Sequence, residues 1–167
     1  MLHAMPDLQL ITQSLFDPNK FRYSAPQKEA ESAEYAAASF TLNGKAIRFR
    51  LSKITPTKIG QFVTLWKRIG QGTIQPFDVD DRLDYALIAC RHAENFGLFI
   101  FPKTCLLQQD IVAQNGQGGK RAIRVYPPWD KTFSRQAQRT QAWQLNYFLN
   151  LSGNTPIDMQ RALKLFA

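Results

Sequence analysis

Two apolar stretches, Leu83 to Ala89 and Gly97 to Phe101, constrain this chain more than any other feature of its sequence. Both are short enough to be strands, and both fall far below the roughly eighteen unbroken apolar residues of a membrane span. Apolar residues in succession, with little polar alternation, make a strand buried on both faces. The sheet that receives them therefore needs a layer packed on each side, as in α/β proteins. A chain of 167 residues has room for one such domain.

The other elements follow from periodicity and turn chemistry. Pro6 opens a helix in which Leu8, Ile11 and Leu15 recur at helical spacing, and Asp17-Pro18-Asn19 ends it, giving an N-terminal helical extension over residues 1–25. Pro26 precedes a second predicted helix, Gln27 to Ser39, rich in alanine and with Glu29, Glu31 and Glu34 towards its front. Asn43-Gly44 is a two-residue hairpin signal joining Phe40-Thr41-Leu42 to a strand where Ile47, Phe49 and Leu51 alternate with Arg48 and Arg50. Gln61 to Trp66 reads as a strand from its aromatic and β-branched content, with a helix over 61–67 as the alternative. Asn115 to Gly119 is a glycine-rich loop, and Ala122 to Tyr126 a short strand closed by Pro127-Pro128.

Residues 130–167 are expected to form helices packed on the sheet. Phe133, Ala137, Thr140, Gln144, Tyr147, Phe148 and Leu151 share one helical face, opposite Lys131, Arg135 and Arg139. Gln144 falls inside the apolar face and is expected to tie down a backbone segment. Thr155 is the expected cap of a final helix in which Met159, Ala162, Leu163 and Phe166 share a face. The expectation is a single α/β domain over residues 1–167, a mixed sheet flanked by helices.

Charge then narrows the partners. The 21 Lys and Arg residues outnumber the 13 Asp and Glu residues, for a net charge of +8. No acid occurs from Tyr35 to Phe77, where Lys45, Arg48, Arg50, Lys53, Lys58, Lys67 and Arg68 all fall. After Asp110 the chain turns basic again, with Lys120, Arg121, Arg124, Lys131, Arg135 and Arg139. Two such blocks folded onto one surface make an electrostatic footprint for phosphates; the alternative is a solubility charge paired with the acidic clusters. The start, Met1 to Asp7, has no basic segment leading into an apolar one, and two cysteines are too few for a disulfide framework, so the expectation is a cytoplasmic protein.

Several chemistries lack their residues. A nucleophilic triad has only His3 and His92 to draw on. Cys90, His92 and Cys105 supply at most three soft ligands, and a buried cysteine beside a loop histidine is the commoner arrangement. The run from Gly116 to Arg121 has the glycines of an anion-contacting turn but neither Walker spacing nor a Ser or Thr after the lysine; a basic hairpin is the alternative. Tyr126-Pro127-Pro128-Trp129 either stacks bases or forms a rigid corner against the body.

The segments Arg50 to Arg68, Glu29 to Tyr35, Gln75-Pro76-Phe77, Gly97 to Lys103, Gly119-Lys120-Arg121, Arg124 to Trp129 and Thr140 to Gln144 together resemble the MepB family of bacterial proteins, over roughly Lys28 to Leu149. The resemblance implies a genetic setting beside a multidrug efflux pump and its repressor, and a restriction-endonuclease-like core, but no reaction. Active nucleases of that class carry an Asp/Glu-x-Lys triplet. Here Leu51-Ser52-Lys53 or Leu65-Trp66-Lys67 would stand in its place, with leucine where a carboxylate belongs. Glu31, Glu34 and Lys53 are then the candidate catalytic residues, with Asp81 or Asp84 as a substitute carboxylate and Mg2+ as cofactor only under that reading.

The candidate phosphate contacts are Arg50, Lys53, Lys58, Lys103, Lys120 and Arg121, with Gln141 and Trp143 as further ligand-facing residues. The leading expectation is a protein that binds nucleic acid or another polyanion without an intact catalytic motif. A metal-dependent nuclease and a protein-interaction or small-ligand module linked to drug response are the alternatives.

Overall fold

The computed structural model describes residues 5–167. His3 and the first residues of the expected extension lie outside the described residues. Pro6 stands at the start of α1 (Pro6–Ile11), which runs on as a π-helical turn over Thr12–Phe16. Leu8, Ile11 and Leu15 are all buried, as their spacing predicts.

The expected helix from Gln27 to Ser39 does not form. Its place is taken by β1 (Gln27–Lys28), a 3₁₀ turn at Ala33–Tyr35, and the start of β2 (Ala38–Leu42). Ser32 and Ala36 adopt left-handed φ values of 62° and 51°, which end any helix on either side of that turn. Ala38, Phe40 and Leu42 alternate into the core, so tertiary burial overrides the helix preference of the alanines. The Asn43-Gly44 turn joins β2 to β3 (Lys45–Leu51) as expected.

A second, smaller sheet follows: β4 (Lys53–Ile54) and β5 (Gln61–Thr64), later joined by a strand at Ala122–Val125, while β6 (Trp66–Arg68) pairs with β7 (Ile74–Pro76). The two apolar runs lie in β8 (Tyr85–His92) and β9 (Asn95–Pro102). A short helix α2 (Lys103–Gln108), β10 (Ala122–Val125), α3 (Arg135–Gln144), β11 (Phe148–Asn150) and α4 (Met159–Leu165) complete the chain.

The main sheet has the order β1-β2-β3-β8-β9-β11, with β3 and β8 parallel and every other pair antiparallel. Period-two alternation divides its side chains between two cores. Tyr85, Leu87, Ala89, Leu98 and Ile100 pack beneath α1 and α4, while Ala86, Ile88, Cys90, Phe99 and Phe101 face the second sheet. The layers on both faces that β8 and β9 demand are present, and the protein is a mixed α/β fold.

Three C-terminal expectations are corrected. The predicted long helix stops at Gln144, and after a 3₁₀ turn at Leu145–Tyr147 the chain becomes edge strand β11. Phe148 and Leu149 enter opposite cores, which successive residues do on a strand and not on one helical face. The cap of α4 is Asp158, whose carboxylate accepts from Arg161 N–H at 3.0 Å, because the helix begins after Pro156 and not at it. Leu163 is exposed rather than part of the buried face. Among the described residues, no helix is long and apolar enough to cross a membrane.

Candidate polyanion-binding cleft

A cleft of about 600 Å³ opens between the 57–59 loop, β10 and α3. Alternation along β10 places Arg124 and the following Tyr126 on its wall. Lys58 enters from the loop and Lys120 from the residues just before β10, so two separate stretches of chain supply its cations. None of its lining residues is acidic. Trp143 and Phe133 add aromatic rings, and Ser134, Gln136 and Ala137 bring the first turn of α3 to the edge, where a helix dipole is positive.

Hydrogen bonds hold the walls in place. Gln144, buried beneath the cleft, accepts from Tyr126 N–H at 2.8 Å and donates to Arg124 C=O at 3.0 Å, so one amide fastens α3 to the end of β10. This is the backbone tie expected of a polar residue on the apolar face. Arg124 Nη1 donates to Thr55 Oγ1 and to the carbonyls of Ile59 and Gly60, which fixes the 55–60 loop. Gly60 has a φ of 85°, and a Cβ there would fall 2.7 Å from the Tyr126 ring, so the loop approaches the ring only because the residue is glycine.

The other predicted site residues are dispersed. Arg50, expected at a phosphate-gripping surface, is completely buried: its Nη1 meets Glu29 at 2.6 Å and its Nε donates to Thr64 C=O in β5. The second sheet covers the face on which Arg50 alternates, which no local pattern in β3 reveals. Burial pulls its pKa down, and the adjacent Glu29 carboxylate opposes that shift. Lys103 is likewise corrected: its Nζ donates to the carbonyls of Val79 and Asp81. Gln141 donates to the carbonyls of Tyr126, Pro127 and Asp130, so it makes the Tyr-Pro-Pro-Trp stretch a braced corner and does not face a ligand. Arg121 is exposed but does not line the cleft, and Trp143 both lines it and packs against Phe101 and Tyr147. The glycine-rich loop is no free phosphate cradle. Gly116 N–H is taken by Asp78 at 2.7 Å and Gly119 N–H by Asp110 at 2.9 Å; the amide at Gly116 holds the Asp78 carboxyl below its ordinary range.

Glu34 and Lys53 do meet, at 3.5 Å, but as a surface pair in which Glu34 is 71% exposed and Lys53 also lies over the Tyr35 ring. Glu31 is half-buried near Arg50. Among the described residues no group of three or more His, Cys, Asp or Glu side chains is disposed to hold a metal ion; Asp84 accepts from Ala46 N–H and Asp81 from Asp78 N–H, both at 2.7 Å, and Asp81 also pairs with Lys67. Nor do Cys90, His92 and Cys105 form such a group. Cys90 is fully buried and its thiol is pushed up to about 12 by that burial, which makes it inert as a nucleophile.

Sequence reasoning named Arg124 only within the second basic block and Tyr126 only in one of two readings of the Tyr-Pro-Pro-Trp stretch, and it put Phe133, which is 70% exposed, on the apolar helical face. For the first two the signal for a shared wall was present, since residues 122, 124 and 126 share one side of a strand. For Phe133 it was subtler. The residue before a helix cap ordinarily packs on the fourth helical residue, and here that residue is Gln138, which offers no apolar partner.

Fold and cleft together define a mixed α/β protein with a six-stranded sheet and a basic cleft beside its second, smaller sheet. Residues 29–150 match the model of the MepB-like family, a span that contains every cleft residue, and the chain belongs to that family. It is similar to a solved structure described as the crystal structure of MepB, at 35% identity and a TM-score of 0.74, with 77% of this chain and 87% of that chain covered. No curated protein matches the chain.

Proposed function

We propose that this protein binds nucleic acid or a comparable polyanion in the cleft between β10 and α3. The observation that carries the reading is the convergence of Lys58 with Lys120 and Arg124, from two stretches of chain, on a concavity with no acidic residue in its lining. Cations gathered this way neutralise successive phosphates and release condensed counterions. The basic first turn of α3, with Arg135 beside the cleft edge, adds to the same field. A nuclease reading gains no support from the carboxylates, which are dispersed. A role as an interaction module for an acidic protein is left as an outcome of the test.

The test is a salt titration of binding to one short oligonucleotide. The double variant Lys58→Ala/Lys120→Ala is expected to flatten the dependence of log K on log salt by roughly one to two units, for two lost phosphate contacts. Lys53→Ala, away from the cleft, and Arg135→Ala/Arg139→Ala, on side chains that do not line it, are expected to change the slope less. Equal, shallow slopes in all variants would reduce the net charge of +8 to a solubility feature and give the lead to the interaction module.

A further inference from the structure

Phe133 is 70% exposed, an aromatic side chain left largely in water at the edge of a cationic cleft. It belongs to neither core and packs against neither. Yet its backbone is held on both sides. Thr132 is buried and its hydroxyl donates to Gln141 Oε1 at 3.1 Å, while Ser134 caps α3 by accepting from Ala137 N–H at 3.0 Å. Gln138 Nε2 also donates to Thr132 C=O. A ring so exposed on a backbone so fixed is ordered in advance of any contact, which lowers the entropy cost of stacking on it. Lys131 Nζ lies over the ring, 5.6 Å from its centroid, so a base stacking on Phe133 takes the other face or displaces this mobile side chain. The loop across the cleft contributes Ile59, a second apolar side chain left 41% exposed.

We infer that the cleft takes single-stranded nucleic acid, with Phe133 as the platform on which a base stacks while Lys58, Lys120 and Arg124 hold the adjoining phosphates. The inference rests on the polyanion reading above and adds the class of polymer. Every base has a flat face that an aromatic ring accepts, but in a duplex those faces are already stacked on one another. The volume of about 600 Å³ is that of a small-molecule site, with room for a nucleotide unit between its walls.

The experiment measures the affinity of the full chain for labelled dT12, for the dT12·dA12 duplex and for a base-free abasic 12-mer of the same phosphate number, at one salt concentration. Wild type is expected to bind dT12 roughly tenfold more tightly than either of the others. Phe133→Ala is expected to lower dT12 affinity to the level of the abasic strand, leaving abasic binding unchanged. Phe133→Trp should restore the preference. The ring makes no core contact, so both variants are expected to keep the wild-type melting temperature. Equal binding of dT12 and the abasic strand, with Phe133→Ala silent, would overturn the stacking inference and leave the polyanion reading standing. Preference for the duplex would likewise overturn it. Failure of all three polymers to bind at low salt would remove the polyanion reading, and stacking with it.

Discussion

Arg50 carries a full charge into a site with no solvent exposure, and Glu29 is the group that makes this tolerable. The carboxylate bridges Arg48 and Arg50 at 2.6 Å each, and Arg50 Nη2 is left with no hydrogen-bond partner among the described residues. A buried charge stripped of its partner keeps its desolvation cost and loses the compensation. Glu29→Ala is therefore expected to destabilise the protein by about 3 kcal/mol in urea unfolding, near the lower end of measured buried-pair disruptions because Glu29 is at the margin of the core. A loss below about 1 kcal/mol, the usual worth of a surface pair, would show that the triad contributes no more than an exposed one. At this scale the sequence misleads: Arg48 and Arg50 alternate with apolar residues as solvent-facing cations do, and only the second sheet reverses the meaning of the pattern.

Elements meet at Gln144, where α3 and β10 share one side-chain amide. Removing it leaves Tyr126 N–H and Arg124 C=O unpaired in a part-buried position. Gln144→Ala is expected to cost about 2 kcal/mol by chemical denaturation, since each unsatisfied group costs roughly 1–3 and some water reaches them. Oligonucleotide binding should weaken alongside, because Arg124 and Tyr126 then lose their placement. Unchanged stability would mean that the two elements are held by apolar contact alone. This tie was legible in the sequence, because a single amide on an apolar helical face demands partners. The change from helix to strand after Gln144 was not, because Tyr147, Phe148 and Leu151 fit a helical face as well as a strand edge until β9 is there to pair with.

Across the whole molecule the main sheet separates two jobs. Its α1 and α4 side closes around aromatic contacts, Phe166 lying 6.2 Å from Phe16 and 5.5 Å from Phe21 between ring centroids. The cleft belongs to the other side, with the second sheet and α3. Phe166→Ala is expected to destabilise by about 2 kcal/mol, below the roughly 3–5 of a fully closed Phe site because Phe166 is half-buried. The salt dependence of oligonucleotide binding should stay at its wild-type slope. A changed slope in that variant would show that the two sides of the sheet are coupled and not independent.

The sequence by itself determined what local physics decides: the Asn43-Gly44 hairpin, the twice-buried β8 and β9 with the layers they require, the first helix, and the bond-making role of Gln144. These rest on turn geometry, periodicity and the cost of an unpaired amide, none of which needs a distant neighbour. Only the tertiary structure decided that Gln27 to Ser39 is two strands joined through a 3₁₀ turn and not a helix, because strand pairing with β3 outweighs alanine's helix preference. It also decided which cations are free. Lys58 and Lys120 reach the cleft, while Arg50 and Lys103 satisfy carboxylates and carbonyls inside the fold, since a cation's partners are set by what the chain folds over it.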